Sequence, residues 1–343
     1  MRAVARHRRV LLGLAAGVLV VVPLAVAVGS VPVSPIAIVR LIAWRLGLAS
    51  RPEVSRSIEV IVLDLRLPRV LLAAVVGAAL AASGTVFQAL FRNPLADPAI
   101  IGVSSGAALG AVLVIVTVGA GSLAGLGVPL AAFVGALATG FLVYRLARVG
   151  PTVHVATLRL AGVAVAAVVS SAMSLVMSFS GERLRDIYTW LLGGLVAQGW
   201  RSVAITAPVV AVGVLAAATT AHDLNLVALG EERAAQLGVD VQALKRRSLA
   251  AGALLAAAAV SVGGIIGFVG LMTPHLLRLA VGPDHRRLLP AVLLAGPLIL
   301  VGADLVARTV LAPQELPVGV VTALLGGPFF LFLLTRETGR QRG

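Results

Sequence analysis

The sequence has no cysteine among its 343 residues. Disulfides, thiolate metal sites and cysteine nucleophiles are therefore excluded, and the redox compartment stays open. Lysine is nearly absent too: Lys245 is the only one, so 27 of the 28 basic residues are arginine. Lys245 follows Leu244 and not a glycine, which excludes a phosphate-cradling P-loop. Any ATP-driven step must use another polypeptide, which would hold the ATP and its magnesium. Charged residues make up 12% of the chain and aromatics 4%. A soluble domain carries about 25% charged residues, enough to wet its surface. This chain lacks that coating and is not a soluble globular protein. HExxH, a GxSxG with plausible triad partners and the paired acids of intramembrane proteolysis are also missing. No enzymatic activity, metal site or cofactor is expected. His275, in Thr273-Pro274-His275, has no second ligand nearby and reads as a cap or packing residue at a helix start.

What the chain has is apolar surface: 59% of its residues are apolar and its mean hydropathy is +1.04. A helix crossing roughly 30 Å of hydrocarbon needs about 20 such residues. Runs of that kind occupy 10–29, 67–91, 99–119, 128–148, 155–179, 200–221, 247–263, 265–281, 288–308 and 317–335. The fold class is therefore an all-α membrane protein with about ten transmembrane helices, read as one helical domain over 1–343. The first run has a basic start and Ala25-Val26-Ala27, as a cleaved signal would. Signal cores are only about 7–15 residues long, so it reads as a retained span.

Basic clusters at Arg6 to Arg9, Arg145 to Arg159, Lys245 to Arg247, His285 to Arg287 and Arg336 to Arg342 are separated by four, two, two and two spans. Cationic loops stay in the cytoplasm, so both termini of this multi-pass plasma-membrane protein are expected there. The arginines are scattered between apolar runs, without the patch a nucleic acid would need. Residues 31–69 should lie outside, yet they hold Arg40, Arg45, Arg51, Arg56, Arg66 and Arg69 against Glu53, Glu59 and Asp64. Two readings stand on charge alone. One is a short amphipathic helix near 36–48 with Trp44 at the interface, its arginines on lipid headgroups. The other is a basic outer face that receives an acidic partner.

Gly102, Gly106 and Gly110, with small residues between them, predict a helix face suited to close packing. Asp304 and Arg308 stand four apart, as an intrahelical ion pair would. Asp97 and Asp304 are the acids a proton-coupled secondary transporter could use. In Arg92-Asn93-Pro94-Leu95-Ala96-Asp97-Pro98, two prolines stop a helix and free backbone carbonyls. This is either a turn or part of a gate. Residues 222–246 form the longest inner loop and contain a short helical segment with apolar Leu229, Ala234, Ala235 and Leu237, glycines at both ends. Its apolar side packs under the bundle or receives a cytoplasmic partner.

Taken together, several runs resemble the FecCD-type permeases of ABC importers for iron-siderophores, haem and vitamin B12. They are Arg66-Leu67-Pro68-Arg69, Gly77 to Gly84 with Gln88, and Arg92 to Pro98 running into Gly102 to Ala107. Leu229-Gly230 with Ala235 and Leu237-Gly238 follow, then Gly267 to Leu271 with Pro274, His275 and Arg278. Last come Ala303-Asp304 with Arg308, and Glu315 to Gly319 with Gly327-Pro328-Phe329. The match runs from residue 66 to the end, with no specific match over 1–65.

The resemblance implies the permease half of a type II ABC importer. Such a chain pairs with a second copy or homologue around a central pathway, above two ATPase subunits and below an external substrate-binding protein. It implies that Arg66, Arg69 and Arg308 dock that binding protein, and that Asn93, Pro94 and Leu95 form the cytoplasmic gate. It also implies a coupling helix with Leu229, Gly230, Glu232, Ala235, Leu237 and Gly238 against the ATPase. The cargo it implies is an iron chelate, most often a ferric siderophore, with haem and cobalamin open.

Overall fold

The computed structural model describes residues 2–29, 31–150, 152–195 and 199–341. The chain runs through α1 (Arg2–Ala27), α2 (Pro35–Arg45), α3 (Arg56–Val60), α4 (Leu67–Leu90), α5 (Val103–Thr117), α6 (Gly127–Leu146) and α7 (Val155–Ser178). It continues through α8 (Leu184–Leu191), α9 (Trp200–Val227), α10 (Glu231–Gln236), α11 (Val241–Gly263), α12 (Val269–Val281), α13 (His285–Thr309) and α14 (Val318–Gln341). The described strands are two residues each, β1 (Arg148–Val149) and β2 (Thr152–Val153), paired antiparallel between α6 and α7.

Each of the ten apolar runs is carried for most of its length by a helix, and among the described residues six helices are long and apolar enough to cross a membrane: Ala5–Ala27, Arg56–Leu90, Gly127–Leu146, Val155–Ser178, Trp200–Val227 and His285–Thr309. Three shorter apolar helices, Val103–Thr117, Val269–Val281 and Val318–Phe332, cover further runs. α11 starts at Val241 and carries Lys245, Arg246 and Arg247 in its second turn before becoming apolar. Lipid offers no hydrophobic gain for helix association, so contact must come from close backbone approach. α4 shows how this is done. Gly77 faces the backbone of Gly296 on α13, and Gly84 faces that of Gly270 on α12. Ser83 Oγ donates to the Gly252 carbonyl of α11 at 2.8 Å. A π-helical stretch, Ile61–Arg66, joins α3 to α4. Pro68 supplies the cause, because it has no N–H for the Asp64 carbonyl and its ring crowds that turn.

Local chemistry moves several boundaries away from the sequence expectation. α5 is shorter than 99–119 because Pro98–Ile101 forms a 3-10 turn and Gly102 takes a left-handed φ of 77°. Gly102 thus turns the chain into α5 with Thr139 of α6 3.0 Å from where a Cβ would stand, while Gly106 and Gly110 lie against Gly135 and Ala131 of α6. α12 begins at Val269 rather than 265, after a non-helical stretch that ends in Phe268 at φ 66°. His275 consequently lies inside α12, not at a helix start, with its ring edge-on to Phe329 at 6.3 Å. α9 extends through Val227 and α11 starts at Val241, so the 222–246 loop shrinks to residues 228–240.

Hydrogen bonds sort the connections into two ends. Trp200 donates to Leu63, Arg183 to Ile115, and Arg66 to Val26 and Ala27, at the end that holds Asp304. Asn225 donates to Asp284, Lys245 to Val153, and Arg6 to Leu279, at the end that holds Asn93. Successive membrane helices therefore alternate in direction.

Candidate functional site

At one end the structure gathers the three arginines of the expected docking set. Asp304 is fully buried. Arg69 Nε donates to its Oδ1 at 2.9 Å and Arg308 Nε to its Oδ2 at 2.9 Å. Arg69 also pairs with Glu315 at 2.8 Å. Arg308 reaches the Ala25 and Val28 carbonyls at 2.9 and 3.2 Å, and Arg66 those of Val26 and Ala27 at 3.1 and 3.0 Å. The last carbonyls of a helix have no partner within it and carry the negative end of its dipole. Two guanidiniums from elsewhere in the chain cap α1 here.

Arg66 and Arg308 are thus turned inward, only 7% and 6% exposed, instead of projecting from the surface. They line a cleft of about 520 Å³ with Asp64, Arg69 and Glu315. Arg40, Arg45 and Arg56 are exposed at this end, as are Arg185 on α8 and Arg201 on α9, while the exposed Arg51 is paired with Glu59 at 2.9 Å and lies over Trp44. α2 over 35–45 is the short helix expected near 36–48.

At the other end, residues 92–102 form a tightly bonded turn. Asn93 Oδ1 accepts from Leu95 N at 2.9 Å, and Asn93 N donates to Gln88 O at 3.1 Å. Asp97 Oδ1 caps Ala99 N at 2.8 Å. Burial pushes the Asp97 carboxyl up, against the pull of that Ala99 N–H. Pro94 is exposed and Leu95 half-buried. Behind the turn, Gln88 donates to the Leu271 carbonyl and accepts from Arg278 Nη2, both at 3.1 Å, tying α4 to α12.

α10 hangs below this end between Gly230 at φ 120° and Gly238 at φ 88°, values that favour glycine. The expected single apolar side is split. Ala234 is buried against Leu224, Val227 and Leu244, while Leu229 and Leu237 are 61% and 62% exposed and Glu232 and Ala235 face outward. One small residue anchors the helix, and the leucines that flank it are left exposed.

Sequence reasoning gave no role to Asn225 or Glu231, and to Lys245 only a place in a basic cluster. Asn225 Nδ2 donates to Asp284 Oδ1 at 2.6 Å and its Oδ1 accepts from His285 N at 2.9 Å, fastening α9 to the start of α13. Desolvation opposes ionisation of Asp284, but the Asn225 amide, the Arg286 N–H and the charges of Arg287 and Arg286 outweigh it and hold the carboxyl below its usual range. Lys245 and Glu231 are paired at 2.7 Å. The signal for Lys245 was in plain view, since a chain that otherwise uses only arginine keeps one lysine there. α8 was also missed, although Leu184, Ile187, Tyr188 and Leu191 recur at helical spacing.

These features define a multi-pass, all-helical membrane protein that braces one end with buried ion pairs and presents a short helix at the other. The profile of the FecCD transport family matches residues 17–336, and the chain belongs to that family. The match reaches well into the first 65 residues, where the motifs themselves had given none. The cobalamin import system permease protein BtuC of Halobacterium salinarum is 49% identical over 281 residues, 82% of this chain and 75% of the relative. The hemin transport system permease protein HmuU of Yersinia pestis is 44% identical over 284 residues, 82% of this chain and 85% of the relative. A solved chain of a metal-chelate type ABC transporter in an inward-facing conformation superposes with a TM-score of 0.81 at 31% identity, covering 96% of this chain and 99% of that one.

Proposed function

We propose that this chain is the transmembrane permease subunit of an ATP-binding-cassette importer that carries a bulky metal chelate into the cytoplasm. The observation that carries the reading is α10 with its flanks: the helix is anchored by Ala234, and Leu229 and Leu237 on either side of it stand exposed at the Asn93 end. A six-residue helix flanked by two exposed leucines has that apolar surface covered only when a partner takes it. The partner is an ATPase subunit, two of which sit beneath a pair of permease chains, and ATP with its magnesium binds there. The Asn93 end is cytoplasmic, as are both termini.

Movement of the ATPases acts through Leu229, Gly230, Glu232, Ala235, Leu237 and Gly238, and the turn at Asn93, Pro94 and Leu95 gates the pathway. At the opposite end an external binding protein with an acidic rim delivers the cargo. Arg40, Arg45 and Arg56 meet it directly, and Arg66, Arg69 and Arg308 supply positive potential beneath them. The relatives named above are a cobalamin and a hemin permease, so corrin and porphyrin chelates belong in the substrate test beside the ferric siderophore.

Purification of the tagged chain from native membranes in mild detergent tests the reading. A P-loop ATPase is expected to come with it in stoichiometric amount, and uptake of radiolabelled cobalamin, hemin and ferric siderophores by the complex identifies the cargo. The Leu237→Asp variant is expected to insert normally but to lose the ATPase. Recovery of the intact chain alone, reproducibly, would overturn the assignment.

A further inference from the structure

The one lysine of the chain is 5% exposed, in the second turn of α11. Its Nζ donates to Glu231 Oε2 at 2.7 Å and to the Val153 carbonyl at 3.2 Å. Val153 lies on β2, and its N–H donates to Gln242 Oε1 at 2.8 Å. Both backbone groups of Val153 are thus taken by side chains one turn apart on α11. Glu231 opens α10, and its Oε1 lies 4.0 Å from Arg92 Nη2. Arg92 directly precedes Asn93 and holds a left-handed φ of 47°, uncommon for a residue with a side chain.

A single carboxylate therefore connects three parts of the chain: α10, β2 through Lys245, and the 92–98 turn through Arg92. The two arms differ in strength. The arm to Lys245 is short and buried, and breaking it would strand a charge away from water. The arm to Arg92 is long and about half exposed, so it gives way first. A compact ammonium suits the buried arm, since it can point separate donors at a carboxylate and a carbonyl where a planar guanidinium would impose its own fork.

We propose that Glu231 is a positioning residue that transmits displacement of α10 to the 92–98 turn and to β2, acting through Arg92 and Lys245. This rests on the reading of α10 as the helix that meets the ATPase. When α10 is pulled, the firm arm carries the start of α11 and β2 with it, and the loose arm frees or captures Arg92 beside the gate.

The absence of cysteine makes the test direct. Ala99→Cys, exposed and next to the 92–98 turn, carries an environment-sensitive fluorophore in the complex with a cysteine-free ATPase in nanodiscs. ATP binding is expected to change the fluorescence of the otherwise unaltered chain. In Glu231→Gln the ATPase should still co-elute and hydrolyse ATP, while the fluorescence change falls at least about fivefold, the lower edge of typical coupling between two sites. Glu231→Asp, which keeps the charge, should recover part of it. Glu231→Gln with Lys245→Met should lose no more than the worse single variant, because the pair acts as one unit.

An undiminished response in Glu231→Gln, or fully additive losses, would overturn the proposal. Loss of the ATPase from Glu231→Gln would also overturn it, since Glu231 would then attach and not transmit. If neither Glu231→Gln nor Lys245→Met accumulates, Arg92→Gln carries the test, and an unchanged response there is decisive against it. Failure of the chain with native Glu231 to hold any ATPase is distinguishable, because it strikes the reading of α10 before any Glu231 variant is made.

Discussion

Asp304, itself fully buried, holds two guanidiniums at once, Arg69 through Oδ1 and Arg308 through Oδ2. Asn at this position keeps the shape and removes the charge, leaving Arg69 with Glu315 alone and Arg308 with carbonyls alone. Removing one partner of a buried ion pair costs about 3–5 kcal/mol. Asp304→Asn is therefore expected to lower the thermal midpoint of the purified chain markedly, while Asp64→Asn, on an exposed side chain outside the network, leaves it unchanged. Equal midpoints for Asp304→Asn and the parent would mean that the carbonyls of α1 support the arginines unaided. The bond between Asp304 and Arg308 was legible in the sequence because four residues make one helical turn. The bond from Arg69 was not, since it joins residues 235 apart in the chain and depends on how α4 and α13 are set against each other. Asn225 was hidden for the same reason: its partners lie 59 and 60 residues away on another helix.

Among the elements, hydropathy located the membrane helices but not their ends, because the ends are set by backbone chemistry that hydropathy ignores. Gly102 and Phe268, both in left-handed conformations, shortened α5 and α12 inside runs that are apolar throughout. α10 was legible because glycines bracket it, whereas the burial of Ala234 alone required the neighbouring helices to be in place. Glycine inside helices carries a second kind of information. A Cβ on Gly84 would run into the Gly270 carbonyl, a backbone atom that cannot step aside, whereas one on Gly140 would meet only Val103 and Ala253 side chains at 3.6 and 3.8 Å. Overpacking costs about 1–3 kcal/mol where side chains can yield, and more where they cannot. Gly84→Ala should thus separate α4 from α12 and reduce the yield of folded chain in detergent, while Gly140→Ala behaves as the parent does. Equal yields for the two would mean that α4 and α12 can part without consequence.

For the whole molecule, the decisive quantity is the uneven placement of positive charge. The Asn93 end carries Arg145, Arg148, Arg246, Arg247, Arg286 and Arg287, and the positive-inside rule puts such an end in the cytoplasm. The opposite end, however, carries Arg40, Arg45, Arg51 and Arg56 on one long connection. The rule holds for short loops and weakens in long ones, so the short loops decide the orientation and the long basic segment is free to serve binding. Single cysteines placed in this cysteine-free chain separate the two orientations. A membrane-impermeant maleimide applied to intact spheroplasts should label Arg40→Cys at once and reach Gln236→Cys, on α10, only after the membrane is opened. The reverse pattern would place α10 outside the cell, where no ATPase subunit could meet it, and the proposed transport function would fail along with the orientation.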